Sequence, residues 1–389
     1  MKIGILTLQL HTNYGGILQA YALQTVLERM GHEVVVLNKR HRLLLPIWKW
    51  PYSYPKRIIQ KYILGRGGRV FFESYYNRTY PIVSQNTELF IDKYIHRLKV
   101  EDLFVLKEDD FDAFVVGSDQ VWRPMFYPGK IENAYLDFAK DWDIKRIAYA
   151  ASFGTSKWEY TKKQTRLCGE LLRKFDLISV REESGIGLCH KHFGVKANHV
   201  LDPTMLLSTK DYMYLVEKAN VTKSKGSLLC YILDEKKSKI NLISKLADDM
   251  GLIPFHVNSR VEVQNAPLAE RIQPPVEQWL RGFMDARMVV TDSFHACVFA
   301  IIFNKPFIVI ANKERGLARI ESLLAMFGLQ KALYDCNNKD FDVNNIDWNT
   351  INDRLLDLQN YSLDLLKESS CGMLTVSYTH LRAHETVLD

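Results

Sequence analysis

No two cysteines stand in CxxC spacing anywhere in the 389 residues; the six, at positions 168, 189, 230, 297, 336 and 371, are scattered. The first four lie in apolar or helical contexts, as reduced core thiols do, which argues against a zinc site or a disulfide framework. No metal-ligand constellation appears. No uninterrupted apolar run reaches ~18 residues, so no membrane-spanning helix is expected. Met1-Lys2 leads directly into an apolar stretch, so no signal peptide is expected and the cytoplasm is the expected location. Neither sign of charge dominates. Lys+Arg 51 against Asp+Glu 45 leaves +6, spread along the chain rather than blocked, which excludes the usual footprint of a nucleic-acid-binding protein. The excess is compatible with anionic substrates or with grazing an anionic membrane surface. The glycine pattern GxGxxG is also missing, and with it the dinucleotide fingerprint.

What remains is an ordinary globular composition, 47% hydrophobic and 25% charged, long enough for two domains of roughly 150–200 residues. Short apolar runs alternate with helical periodicity throughout, the pattern of α/β domains with parallel sheets. Residues 3–8 predict a strand, QLHTNYGG a polar loop, 17–30 a helix stopped by Gly31, and 34–37 the next strand, a β-loop-α-β unit. Residues 89–98 read as helix, 111–116 as strand, 159–174 as helix and 177–180 as strand. HVLDPTMLL, from His199, is a strand stopped by Asp202-Pro203, and a second series of β/α units follows it. The expected division is a first domain over residues 1–200, a second over 201–345, and a last helix within 346–371 packing back across them.

Several polar turns leave the carboxyl ends of these strands, where open α/β sheets bind ligands. Asn13-Tyr14-Gly15-Gly16 is either a tight turn that needs glycine or a loop facing a phosphate or sugar. In Gly117-Ser118-Asp119-Gln120-Val121-Trp122, Asp119 and Gln120 can bond sugar hydroxyls and Trp122 can stack on a sugar ring; the alternative is a capped turn with Trp122 in the core. Arg181 ends a buried strand, and a guanidinium there suits a carboxylate or phosphate, or else an ion pair with its acidic neighbours. MVVTDSFHACVFAIIFNKPFIVI, Met288 to Ile310, is strand, polar turn, apolar helix, strand. Its lone imidazole, His295, falls in the first turn of the helix, where backbone N–H groups and the dipole favour an anion.

Taken together, NYGG, GSDQVW, SVREES, HVLDPTML and VTDSFHACVFAIIFNKPFIVI, in this order, resemble the polysaccharide pyruvyltransferase family. The resemblance covers most of the chain to about residue 368 and implies two Rossmann-like domains in a GT-B-like arrangement, the first on the acceptor side and the second on the donor side. It implies transfer of a pyruvyl group from phosphoenolpyruvate to a sugar of an exopolysaccharide or cell-envelope glycan, giving a pyruvate ketal and phosphate, with no cofactor. By resemblance His295 is the catalytic acid/base and Arg181 the anion-binding arginine. Ser293, His295 and Lys313 are the other donor contacts, with Lys305 or Arg315 as substitutes for Lys313. Asn13, Tyr14, Gly15, Gly16, Ser118, Asp119, Gln120 and Trp122 face the acceptor, a free or lipid-linked sugar. Some family members carry arginine two residues before the histidine; here that residue is Ser293, one cation fewer. The alternatives are a GT-B-like glycosyltransferase using a nucleotide sugar, for which no nucleotide-recognition pair stands out, and a non-catalytic sugar-binding homologue, against which His295 and Arg181 both speak.

Two stretches stand apart. Residues 40–78 form an insertion rich in Trp, Tyr, Pro, Lys and Arg, with a basic amphipathic helix expected over 57–64. It is read either as a variable excursion packed on the domain edge or as a segment resting on the inner membrane face. Residues 372–389 fit nothing before them, and their SYTHLRAHET run resembles translated sequencing-adapter read-through, so they are set aside as a non-native tail.

Overall fold

A computed structural model describes residues 1–39, 43–66, 68–234, 236–263, 265–312, 316–334 and 346–370. In chain order the regular elements are β1 (Lys2–Leu6), α1 (Tyr14–Arg29), β2 (Glu33–Lys39), α2 (Trp50–Ile58), α3 (Phe72–Val83), α4 (Gln85–Tyr94), β3 (Arg97–Val100), β4 (Ala113–Val116), β5 (Lys145–Ala151), α5 (Lys162–Leu172), β6 (Leu177–Val180), α6 (Glu183–Leu188) and β7 (Asn198–His199). They continue with α7 (Thr209–Lys218), β8 (Leu228–Tyr231), α8 (Lys237–Met250), β9 (Pro254–Phe255), α9 (Leu268–Arg271), α10 (Val276–Asp285), β10 (Met288–Thr291), α11 (Phe294–Ile302), β11 (Phe307–Ile310), α12 (Leu317–Met326), β12 (Leu333–Tyr334) and α13 (Trp348–Ser370).

Two wholly parallel sheets result. One runs β3-β2-β1-β4-β5-β6-β7 and the other β12-β11-β10-β8-β9. The strands AFVV, LLCY, MVVT and FIVI are buried at every position, as expected of parallel strands covered on both faces by helices. The fold is therefore α/β, with two Rossmann-like domains facing across a cleft in the GT-B manner. One core cluster is continuous between them, from Ile3, Leu18 and Leu23 of the first domain to Trp279, Phe299 and Ile308 of the second. Helix α13 returns to the first domain: Lys145 of β5 donates to the Ser369 carbonyl and the Tyr361 hydroxyl donates to Asn198 Oδ1.

Some elements depart from the sequence reading. The helix expected over 89–98 ends at Tyr94, and Arg97–Val100 instead pairs with β2 as an edge strand. Its alternation is obscured because three of its four side chains are not buried. Helix α5 starts later than expected, at the capping box of Thr161 and Gln164; the preceding Trp158 and Tyr160 stack on each other at 4.5 Å rather than join the helix. In the insertion, α2 starts seven residues before the expected 57. Pro51 sits in its first turn, where a missing N–H has no cost.

Candidate active site

In each sheet the strand order reverses once, between β1 and β4 and between β8 and β10. Connections leave to opposite faces at such points and open a crevice beyond the strands' carboxyl ends. A cleft of about 660 Å³ lies there, between the domains, walled by the segments leaving β1, β8 and β10 and by the loop before α9, with Thr12, Asn13, Lys236, Ser259, Ser293 and His295 in its lining. A hollow of the same volume beside α5 is lined by Lys130, Glu132, Lys163 and Glu170 of one domain alone, away from both reversals.

The first turns of two helices meet at this cleft. Helix α1 begins at Tyr14, capped by the Asn13 side chain, which accepts from the Gly16 amide at 3.3 Å. Helix α11 begins at Phe294 with Ser293 at its cap position. The second residues of the two helices, Gly15 and His295, touch: a Cβ at Gly15 would overlap the imidazole. Glycine is required there for close approach. Neither first turn contains an acidic residue, so the positive ends of two helix dipoles meet here, with Asp202 behind His295 and the carboxylates of Asp234 and Glu262 elsewhere on the cleft wall.

Behind His295 lies a buried charge network that joins the domains. Asp202 is its hub. Its carboxylate accepts from Arg181 at 2.6 Å, from the Thr204 hydroxyl at 2.6 Å and from the Ser118 hydroxyl at 3.3 Å. His295 Nε2 lies 3.6 Å from the same carboxylate, an electrostatic pairing longer than a hydrogen bond. Arg181 donates its other terminal nitrogen to Asp119 at 3.0 Å and lies over the Phe294 ring, and Arg319 of α12 stands 3.6 Å from Asp119. Burial alone would raise both carboxyls. It is outweighed at Asp119 by Arg181, His295 and Arg319, and at Asp202 by His295 and Arg181, so both are held below the ordinary aspartate range. Burial, with the neighbouring Arg181, pulls Arg319 down to about 10, still a cation at neutral pH.

These positions sort the sequence-predicted residues. Asn13, Gly15, Ser293 and His295 line the cleft. Gly16 is buried just behind, its amide bound to Asn13. Arg181 is not left free to hold an anion: it is 3% exposed and its terminal nitrogens are committed to two carboxylates. Ser118 and Asp119 are buried in the same network and do not face an acceptor. Tyr14 is fully buried; its hydroxyl donates to the Pro274 carbonyl at 2.8 Å and its ring stacks on Trp279, so it ties the domains together. Trp122 is also fully buried, stacked on Tyr135 at 5.1 Å with its indole N–H on the Ala134 carbonyl, and has no face for a sugar. Gln120 accepts from Arg123 and packs under Gly154, away from the cleft. Of the substitutes for Lys313, Lys305 bonds the Met284 carbonyl at the far end of α11. Lys313 and Arg315 lie outside the described residues.

Sequence reasoning missed Asp202, read only as a strand stop, and Arg319, whose helix gives no sign of a buried cation. It also missed Lys236, which lines the cleft just after β8; position after a strand end was the available signal.

The profile of one family, described as polysaccharide pyruvyl transferase, matches residues 13–314. The chain belongs to this family. The match starts at the cap of α1 and runs past α11, so it includes both helix N-termini of the cleft. No curated protein matches the chain in sequence. Among solved structures, a UDP-GlcNAc 2-epimerase from Neisseria meningitidis is 13% identical with a TM-score of 0.43, over 96% of this chain and 95% of that one. The heptosyltransferase II of E. coli is 11% identical with a TM-score of 0.35, over 93% and 99%. As a member of the polysaccharide pyruvyl transferase family the chain is a transferase of polysaccharide biosynthesis, with a sugar or polysaccharide acceptor.

Proposed function

We propose that the chain transfers a pyruvyl group from phosphoenolpyruvate to two hydroxyls of one sugar in an exopolysaccharide or cell-envelope glycan, free or lipid-linked, working in the cytoplasm and without a cofactor. The observation that carries this reading is the convergence of two acid-free helix N-termini on the buried imidazole of His295. The donor has a carboxylate and a phosphate, and the dipole ends and first-turn amides suit either group. Lys236 adds a cation on the cleft wall.

The reaction needs a proton donor and acceptor placed beside that anion site. His295 protonates the methylene carbon of the enol, which makes C2 electrophilic. One sugar hydroxyl adds at C2 and gives up its proton, the C–O bond to phosphate breaks, and phosphate leaves with the bonding pair. A second hydroxyl then adds at C2 and passes its proton to the departed phosphate, which closes the ketal. The balance is donor plus diol giving ketal plus phosphate, with no redox step. Asp202, 3.6 Å beneath the imidazole, sets a carboxylate against the ring through both proton transfers. Incubation with phosphoenolpyruvate and a panel of free and lipid-linked sugars, with phosphate release and product mass as readouts, tests the reading. Phosphate release coupled to a product heavier by the pyruvyl unit is expected. Release without a ketal product, or turnover of a nucleotide sugar instead, overturns it.

A further inference from the structure

The insertion presents an apolar surface that none of the described residues covers. Ile47, Trp48, Tyr52, Tyr62 and Ile63 are each 70% or more exposed. Over α2, at 3.6 residues per turn, the side chains of 51, 52, 54, 55 and 58 fall on one half of the helical surface and those of 50, 53, 56 and 57 on the other, which holds the helix's two cations, Lys56 and Arg57. From Leu43 to Phe72 the sequence has no aspartate or glutamate, against Lys49, Lys56, Arg57, Lys61, Arg66 and Arg69. Exposed apolar area of this extent marks an interaction surface, and this one is rich in tryptophan and tyrosine, on a segment whose own charges are all positive.

The segment is also anchored. Arg57 forms a two-point ion pair with Glu73 at the start of α3. Trp50, Tyr54 and Phe71 form a run of rings 5.8 and 5.2 Å apart. Helix α3 is in turn fastened to the cleft wall: Tyr75 accepts from Arg271, and the Val83 carbonyl accepts from the amide of Gln273. The Gln273 side chain lines the cleft and bonds the Thr12 carbonyl.

We infer that residues 44–66 seat the enzyme on an anionic lipid bilayer, the aromatic and aliphatic side chains entering the headgroup boundary and the lysines facing the lipid phosphates. Charge complementarity selects this occupant. A bilayer of anionic lipid supplies apolar depth and negative charge in one plane, whereas a second copy would oppose cation to cation. Through α3 and Gln273 the seated helix holds the cleft mouth near the membrane, where a lipid-linked sugar is presented. That last role rests on the pyruvyl-transfer reading; membrane binding itself does not.

Co-sedimentation with vesicles separates the two. The full chain should pellet with vesicles containing phosphatidylglycerol, much less with pure phosphatidylcholine, and should be released by salt. Replacing Lys49, Lys56 and Lys61 together by glutamine should lower partition roughly a hundredfold, because each interfacial cation contributes about fivefold. In wild type, quenching of tryptophan fluorescence by brominated lipid should accompany binding and needs no variant. Phosphate release with a soluble sugar should be unchanged in the triple variant, since none of the three lysines lines the cleft. Equal partition to neutral and anionic vesicles, no partition to either, or a self-associated dimer dispersed by the same substitutions overturns the inference.

Discussion

The turns leaving β4 and β10 each deliver a serine and an aspartate beyond a fully buried strand, yet only one of them reaches the cleft. After β4, Ser118 and Asp119 turn into the first domain and meet Asp202 and Arg181. After β10, the aspartate again turns inward: Asp292 accepts from the amides of Leu233 and Asp234 and from Lys239 at 2.5 Å. There the chain continues straight into α11, so that Ser293 and His295 emerge on the cleft side. In both turns the carboxylate is structural, organising neighbouring loops at a strand's end. What differs is the next element: a compact turn after β4 buries Trp122, while a helix after β10 lifts His295 to the surface its aspartate has helped to build.

If this contrast is right, substitutions in the two turns should fail in different ways. The largest effect is expected at Arg181. Arg181→Ala leaves Asp119 and Asp202 buried with one cation fewer, and breaking such a pair costs about 3–5 kcal/mol. Urea unfolding should show that loss, and a variant with native stability and only weakened phosphoenolpyruvate binding would restore the anion-binding role read from the sequence. His295→Ala should lower turnover roughly a hundredfold or more with the fold intact by circular dichroism; an alanine enzyme as fast as the wild type would sink the proposed chemistry. Gly15→Ala should displace the imidazole rather than unfold the chain. A loss of about tenfold in kcat, with the fold intact by circular dichroism, is expected from misplacement of an acid/base group.

The smallest and most diagnostic effect is in acid. Asp119 and Asp202 are held below their ordinary range in the native state. Between the native and unfolded values the unfolded chain therefore binds more protons than the native one. Their stabilising contribution is complete above about pH 4 and is lost as pH falls below it. Unfolding free energies measured down through this interval should decline less steeply for Asp202→Asn than for wild type. Equal slopes would mean that Asp202 is not the hub of the network.

Alternation of buried apolar runs with helical periodicity was enough to identify parallel α/β units, because strands covered on both faces must be apolar throughout and the helices over them must be amphipathic. It was also enough to single out His295 and the Asn13–Gly16 turn, since polar groups confined to strand ends between apolar runs have a steep desolvation cost unless they are used. The insertion, likewise, declared its amphipathic character through residue order alone. Whether a polar side chain at a strand end turns toward ligand or toward its own domain was not legible. That depends on partners far apart in the chain, Arg181 with Asp119 and Asp202, Arg319 with Asp119, Gly15 with His295. A local pattern records which groups can form hydrogen bonds and ion pairs; only the packed fold, by bringing two domains together and excluding water between them, determines which of those groups are already paired and which remain to meet a substrate.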